Sequence, residues 1–313
     1  MNILFMNVLL FYYYNVLDDP QSCHDEQCSF LSSKNIKGRI IISQEGINGT
    51  ISGNIKDCED YMNFLQNNEQ FKNIAFKINR CDEHLFTKLT VKIKPYLIKL
   101  GPSDLYSINN TGIHLSPNKF KSLMNDENTI ILDVRSNYET MIGKFKNSIT
   151  LDIDKFYHLP EKIKNHSLYL DNTNRSKNIL TYCTGGIRCE SASSYLKQLG
   201  FKNVFQLEGG IINYSKVCKG EDFLGKCYVF DGRISIDVNQ INPDIISKCI
   251  KCKNTCQHIV NCMNTNCDKH MIMCYDCYQS SSGCCSIECQ NSNKKRKIIP
   301  NYYKNDYNNK NIF

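Results

Sequence analysis

The strongest chemical signal in the sequence lies at residues 183–189, which read C-T-G-G-I-R-C. Gly185 and Gly186 allow backbone amides to converge on the sulfur of Cys183, because glycine tolerates the tight turn that this requires. Arg188 and the N-terminus of a following helix make the surroundings positive, which favours the thiolate over the thiol. The segment therefore predicts a nucleophilic cysteine or a cradle that holds an anion.

The residues on either side predict a strand before this loop and a helix after it. Residues 179–182 form a β-branched and aromatic run that suits a buried strand. Ala192, Tyr195 and Leu196 repeat at helical spacing, and Gly200 is a typical C-terminal stop. A purely structural alternative remains, in which Cys183 is a buried cysteine at a glycine turn.

Residues 183–189, together with the L-E-G-G-I turn at 207–211, resemble the rhodanese domain of the tRNA uridine hydroxylase family. In rhodanese-like domains a loop of this length encloses a space suited to a persulfide sulfur, whereas the related phosphatases use a loop one residue longer. The resemblance implies that Cys183 is catalytic and that Arg188 stabilises charge on its sulfur. The implied active-site loop also contains Thr184, Gly185, Gly186, Ile187 and Cys189. Cys189 is either a resolving thiol or a buried residue at the start of the helix.

The chain before this loop predicts the rest of an α/β domain. Residues 129–134 are a continuous apolar run that ends in Asp133, typical of a parallel strand buried on both faces. Asp133 and Arg135 resemble part of the family's first rhodanese signature, and their expected role is to satisfy loop amides and each other. With further strands at 149–153 and 204–207, the prediction is a three-layer α/β sandwich over residues 115–222. Its active loop should lie at a carboxyl strand end.

Residues 1–100 alternate strand-like and helix-like segments, which predicts a small α+β domain. The G-R-I run at 38–40 and the E-G-I-N-G run at 45–49 resemble the acylphosphatase-like N-terminal domain of the same family. The glycines and Asn48 of the second run predict a tight hairpin turn, and a role in holding RNA is the alternative. Cys23, His24 and Cys28 are interpreted as incidental neighbours in a loop rather than a metal site.

Ten of the 18 cysteines crowd into residues 249–289 in closely spaced pairs, which is typical of metal binding. The simplest set of four ligands is Cys249, Cys252, Cys274 and Cys277. Ten thiols could instead hold two ions or arrange themselves otherwise. Structural zinc is the prediction, and an unmetallated cluster or an iron–sulfur centre is the alternative. A linker at 223–248 is expected before this module.

The composition of the 313-residue chain is compatible with an RNA partner, since the net charge is +7 and the pI is near 8.5. The paired cysteines favour metal over disulfides and therefore a cytoplasmic location. The sequence contains no run of about 18 apolar residues, so no membrane span is predicted. The apolar N-terminus lacks a basic region and a cleavage site, so a first strand is expected there.

The last residues, 290–313, form a basic tail. Its Lys294–Lys297 run, with Tyr302 and Tyr303, is either solvated or binds RNA.

The resemblance covers nearly the entire chain and implies a function. That function is hydroxylation at C5 of the anticodon wobble uridine of tRNA, with dioxygen as cosubstrate and 5-hydroxyuridine as product. No 2-His-1-carboxylate pattern and no flavin or haem signature is visible, so the oxidant is expected to be handled by Cys183, through a thiolate or persulfide, or by an unseen group. A plain sulfurtransferase and a non-catalytic RNA-binding or scaffold protein are the alternatives. The oligomeric state is not predicted.

Overall fold

The computed structural model of the chain describes residues 5–101 and 108–296. Its N-terminal part is a five-stranded sheet in the order β4-β1-β3-β2-β5, with two helices packed on it. The elements are β1 Met6–Tyr14, α1 Pro20–Leu31, β2 Ile36–Ser43, β3 Gly46–Asn54, α2 Ile55–Gln66, β4 Ala75–Cys81 and β5 Leu89–Ile93. Apolar side chains from β1, β2, β3 and both helices form one core, so this sheet has a core of its own.

Two local expectations for this part were wrong. The turn between β2 and β3 falls at Gln44 and Glu45, so Asn48 and its neighbouring glycines lie within β3 rather than in the turn. Cys23, His24 and Cys28 lie on helix α1 and not in a loop. The Asp19 side chain caps this helix by accepting hydrogen bonds from two backbone amides, and Pro20 occupies its first turn.

The middle of the chain forms a second, parallel sheet in the order β6-β11-β10-β7-β9. Its elements are β6 Ile113–Leu115, α3 Pro117–Leu123, β7 Thr129–Asp133, α4 Asn137–Thr140, β8 Gly143–Phe145, β9 Ile149–Thr150, α5 Leu159–Lys164, α6 Ser167–Leu170, β10 Asn178–Tyr182, α7 Ile187–Gln198, β11 Asn203–Leu207 and α8 Gly210–Cys218. Short 3₁₀ turns occupy Ile108–Asn110, Phe156–His158 and Asn172–Ser176.

Helices cover both faces of the parallel sheet, which makes three layers. Alternate residues of each strand point to opposite faces, so Leu132 and Ile179 pack in one core with α5 and α7. Ile131 and Leu180 pack in the other core with α3 and α8. Burial on both sides explains why β7 and β10 read as continuous apolar runs.

The expected linker at 223–248 contains two strands, β12 Phe223–Tyr228 and β13 Ser235–Asp237. β12 pairs with β8 on one side and β13 on the other, so this stretch forms a three-stranded sheet with the middle domain. It is therefore part of the folded structure rather than a bare connection. The sequence did not predict this, because β8 and β13 have only three residues each and show little periodicity.

The Cys-rich part has little regular structure, with β14 Ile259–Asn261, β15 His270–Ile272, α9 Tyr275–Ser280 and α10 Ile287–Asn291. The first residues of the expected basic tail belong to this module, since α10 runs past residue 290 and Lys295 forms a backbone bridge with Asn264. Lys297, Tyr302 and Tyr303 lie outside the described residues. Within the described ranges, no helix is long and apolar enough to cross a bilayer.

Candidate active site and cysteine clusters

Cys183 lies directly after strand β10, and the loop that follows leads into helix α7 at Gly186. The sulfur is fully buried and accepts a 3.1 Å hydrogen bond from the Gly186 amide. The carbonyl oxygens of Cys183 and Thr184 accept hydrogen bonds from the Ile211 and Ile212 amides at the start of α8. The start of the loop is therefore held by the N-termini of two helices, α7 and α8.

Glycine is required at two positions around this loop. Gly186 has a φ of +104°, and a Cβ there would lie 2.8 Å from the Tyr12 hydroxyl. Gly210 has a φ of +66°, and a Cβ there would lie 2.5 Å from the Cys183 carbonyl oxygen. Both residues adopt a backbone conformation that other residues rarely adopt, and both allow close approach.

The surroundings of Cys183 favour its thiolate. Burial opposes ionisation, but a hydrogen bond from Cys189, the positive charge of Arg188 and the amides of Gly186 and Arg188 lower the pKa of the Cys183 thiol to about 6. Burial and the neighbouring Cys183 raise the pKa of Cys189 well above its usual value. Near neutral pH the pair therefore carries one negative charge, which resides mainly on Cys183.

Arg188 is fixed by the buried carboxylate of Glu139, for which the sequence predicted no role of its own. Its Nη1 donates to Glu139 Oε2 at 2.5 Å, and its Nη2 donates to Glu139 Oε1 at 2.7 Å. Glu139 is fully buried, yet the charge of Arg188 and its hydrogen bonds lower the pKa of the carboxyl. Thr184 also donates its hydroxyl to Glu139 at 3.2 Å, which connects the active loop to helix α4.

Asp133 and Arg135 lie beside the loop and pair with each other. Arg135 Nη2 donates to Asp133 Oδ2 at 2.7 Å and to the Gly143 carbonyl at 2.7 Å. Both side chains are completely buried. The pair joins the end of β7 to β8, and neither side chain lines the cleft described below.

A second buried carboxylate, Glu190, links the active loop to the N-terminal sheet. It accepts hydrogen bonds from the Tyr12 hydroxyl at 3.1 Å, His114 Nε2 at 2.9 Å and Gln206 Nε2 at 2.9 Å. The sequence contained no signal for this cluster, because its members come from four separate elements. Leu10 on the same strand as Tyr12 packs against Gly185, where a Cβ would approach it to 2.8 Å.

A cleft of about 1430 Å³ lies between the N-terminal sheet, the middle domain and the Cys-rich module. It exceeds the roughly 300–1,000 Å³ that is typical of small-molecule pockets. Cys183, Gly185, Ile187 and Arg188 line it from the active loop. Its aromatic lining comprises Tyr12, Phe86, Tyr138, Phe156, Phe230 and His270. Its basic lining, apart from Arg188, comprises Arg39, Lys155, Lys248 and Lys269.

The predicted metal ligands come together in space. The four sulfurs of the set Cys249, Cys252, Cys274 and Cys277 lie within 4.8 Å of one another. Cys252 and Cys274 are 3.7 Å apart, near the edge of about 3.8 Å for four sulfurs at 2.3 Å from a zinc ion. The Cys274 amide also donates to the Cys249 sulfur at 3.4 Å. The donor set and its spacing fit a tetrahedral thiolate site.

Three family models match consecutive parts of the chain. Residues 6–97 match the UPF0176 acylphosphatase like domain, residues 116–216 match the Rhodanese-like domain, and residues 224–290 match the Rhodanase C-terminal model. The predicted fold class is confirmed: a rhodanese-like α/β sandwich follows an acylphosphatase-like α+β domain and precedes a Cys-rich region.

Curated relatives are similar over nearly the whole chain. A tRNA uridine(34) hydroxylase of Cytophaga hutchinsonii is 43% identical over 289 residues, which cover 92% of this chain and 91% of that protein. Those of Staphylococcus haemolyticus and Staphylococcus epidermidis are 40% and 39% identical, over 94% and 96% of this chain and 92% and 93% of those proteins. The chain belongs to the tRNA uridine(34) hydroxylase family.

Family membership and geometry together define the candidate site of this tRNA uridine(34) hydroxylase family member. The rhodanese-like match contains the Cys183 loop, and the C-terminal match contains both the β12 strand and the clustered cysteines. The structure brings Cys183, Cys189 and Arg188 together and adds Glu139 as the buried partner of Arg188. Glu190, next to Cys189 in the chain, bonds instead to Tyr12, His114 and Gln206. The roles of these residues remain predictions.

Proposed function

We propose that this protein hydroxylates C5 of the wobble uridine of tRNA with dioxygen and forms 5-hydroxyuridine. The observation that supports this most is the position of Cys183, whose thiol has a lowered pKa and lines the large cleft. The names of the relatives, which are 39–43% identical over nearly the whole chain, support the same assignment. Because tRNA is the proposed substrate, the proposed location is the cytoplasm.

The lining of the cleft supports a single-stranded RNA segment as the occupant. Exposed aromatic rings stack on unpaired bases, and lysines and arginines neutralise phosphates. Phe230 is 48% exposed, and its ring lies 5.4 Å from the Arg188 guanidinium. We assign Phe230 as the side chain on which the extruded uridine stacks, because it is an exposed aromatic ring that lines the same cleft as Cys183.

The proposed reaction has a defined balance. One oxygen atom of dioxygen enters uridine at C5 and the other leaves as water, so two electrons and two protons come from an external two-electron reductant. Cys183 acts as a thiolate or, after sulfur loading, as a persulfide, with the loop amides and Arg188 holding its negative charge. Cys189 keeps its proton and donates a hydrogen bond to that charge.

For the Cys249 set we propose a structural zinc ion. Zinc bound by four thiolates has no open position for substrate, so its role is to hold the module. His270 and Tyr138 stack at 4.4 Å, which joins the module to the middle domain at the wall of the cleft. Metal at this site would therefore stabilise one wall of the RNA-binding cleft.

The test incubates purified protein with tRNA, a two-electron reductant and ¹⁸O-labelled dioxygen, followed by high-resolution mass analysis of the nucleosides. We expect one labelled oxygen in the wobble uridine with the wild type and none with Cys183→Ser, which should still fold. The lowered pKa of Cys183 also suits a sulfurtransferase, whose product has nearly the same nominal mass but contains sulfur and no label. A sulfur-containing product, or normal activity of Cys183→Ser, would overturn the proposal.

Phe230 is tested separately through substrate binding. Phe230→Ala should raise the KM for tRNA about tenfold, because base stacking contributes about 1–3 kcal/mol. Phe230→Tyr keeps the ring and serves as the matched control, with a KM near that of the wild type. An unchanged KM in Phe230→Ala would exclude the stacking role while leaving the assignment of Cys183 untouched.

A further inference from the structure

We infer that the Cys-rich module binds a second structural zinc ion, at a site separate from the Cys249 set. Its ligands are Cys262, Cys267, Cys285 and Cys289. The four sulfurs lie within 4.8 Å of one another, as those of the first set do. The inference rests on this geometry and does not depend on the tRNA activity proposed above.

The spacing of these sulfurs matches a tetrahedral zinc site. Cys267 and Cys285 are 3.7 Å apart, and Cys285 and Cys289 are 3.6 Å apart. Four sulfurs at about 2.3 Å from one zinc ion have edges of about 3.8 Å. The Asn264 side-chain amide donates to the Cys289 sulfur at 3.4 Å, the kind of hydrogen bond that orients a thiolate ligand.

The two sets alternate along the chain in pairs. The first and third pairs, Cys249–Cys252 and Cys274–Cys277, form one site. The second and fourth pairs form the other site, so each ion closes a loop that contains a pair of ligands for its neighbour. Such an interleaved order needs both ions to fix the path of the chain. Cys256 and Cys284 belong to neither set and are buried.

The module also needs a second ion for its stability. Its regular structure amounts to two three-residue strands and two short helices, and thiols occupy much of its core. So little regular structure and so few large apolar side chains give limited burial to offset the entropy cost of ordering the chain. One ion at the Cys249 site would leave the segment around 262–267 and 285–289 without a comparable anchor.

The basic residues after the module contact it beside two ligands of this second site. Lys295 Nζ lies 3.1 Å from the Cys284 sulfur and also donates to the Cys289 carbonyl. Arg296 Nε donates to the Cys262 carbonyl at 3.3 Å. Two cations of the 294–297 run, for which the sequence left a solvated or an RNA-binding role open, therefore contact the module itself.

This site also positions a wall of the cleft. Cys267 itself and residues 268–272 line the cleft, and His270 stacks on Tyr138. An ion that fixes Cys267 would therefore fix the start of this wall.

The test counts metal in the full-length protein, prepared under reducing conditions with zinc supplied and then freed of loose metal. We expect two zinc ions per chain in the wild type, one for each set of thiols. Zinc X-ray absorption on the same sample should show four sulfur neighbours at about 2.3 Å for each ion. One ion per chain in the wild type, a mixed sulfur and nitrogen shell, or iron in place of zinc would overturn the inference, whether or not the protein modifies tRNA.

Three double variants assign each zinc ion to its set of cysteines. Cys267→Ser/Cys285→Ser removes two ligands of the second site and should lower the zinc content to one ion, as should Cys252→Ser/Cys274→Ser at the first site. Cys256→Ser/Cys284→Ser changes two thiols of the same module outside both sets and should keep both ions. Loss of zinc in this control but not in Cys267→Ser/Cys285→Ser would contradict the ligand assignment. The X-ray absorption of the wild type decides the matter if a variant fails to fold.

Discussion

Arg188 gives both terminal nitrogens of its guanidinium to the buried carboxylate of Glu139, at 2.5 and 2.7 Å. The ion pair holds the planar cation in one orientation beside the Cys183 loop. Its charge lowers the pKa of Cys183 through space, while Glu139 keeps that charge from being buried alone. The free-energy cost of burying the Arg188 cation and the effect of that cation on the pKa of Cys183 can therefore be separated by mutation.

Arg188→Gln should lower the free energy of unfolding by about 3 kcal/mol, because it leaves Glu139 buried without its partner. The same change should raise the pKa of Cys183. Arg188→Gln/Glu139→Gln removes both charges and should recover much of the stability while the pKa of Cys183 stays raised. Urea unfolding gives the stability, and the thiolate absorbance relative to Cys183→Ser gives the pKa. A wild-type pKa in both variants would show that the loop amides act without Arg188.

Cys189 is expected to act as a hydrogen-bond donor to Cys183 rather than as a resolving thiol. Cys189→Ala removes the donor and should raise the pKa of Cys183, whereas Cys189→Ser keeps a donor and should leave the pKa low. Cys189→Ser should therefore keep more activity on tRNA than Cys189→Ala. A resolving role predicts instead that both variants lose turnover equally, which multiple-turnover assays with tRNA can distinguish.

His114 should stabilise the protein at low pH and not at high pH. Its hydrogen bond with Glu190 raises the pKa of the imidazole, so its contribution is complete below the unfolded pKa of about 6.5 and is lost as the pH rises through the folded pKa. The side chain is half exposed, so His114→Gln should cost about 1 kcal/mol or less near pH 5.5 and almost nothing near pH 9. Urea unfolding of both proteins across this range measures the difference. A cost independent of pH would mean that packing, not charge, is responsible.

Gly210→Ala should damage the active site more than its backbone strain alone explains. A Cβ at this position would lie 2.5 Å from the Cys183 carbonyl oxygen, so the loop must move. Gly200→Ala is the matched control, because Gly200 also has a positive φ, of +89°, but has no atom within 4 Å of such a Cβ. The control should lose about 1 kcal/mol of stability and keep the low pKa of Cys183. The predicted clash would be contradicted if Gly210→Ala and Gly200→Ala lost equal stability and the pKa of Cys183 were unchanged in Gly210→Ala.

Local features of the site were predictable because they follow from neighbouring residues. The strand before Cys183 and the helix after it arise from apolar spacing and from glycines where the turn is tight. The position of Asp133 and Arg135 at a strand end follows in the same way, since their pairing spans two residues. The hairpin at Gln44 and Glu45 was misplaced because Asn and Gly favour turns locally, while pairing with β1 on one side and β2 on the other keeps Asn48 in a strand.

The sequence by itself predicted the tight loop at Cys183, the order of the domains and the cluster of thiols near the C-terminus. Only the tertiary structure decided which distant groups surround the loop: Glu139 lies 49 residues from Arg188, and Tyr12 lies 178 residues from Glu190. It also decided how eight of the ten thiols form two sets of four, since sequence spacing permits many pairings. The physical reason is that a buried charge requires a partner and a tetrahedral site requires four donors, and these groups lie far apart in the sequence until folding brings them together.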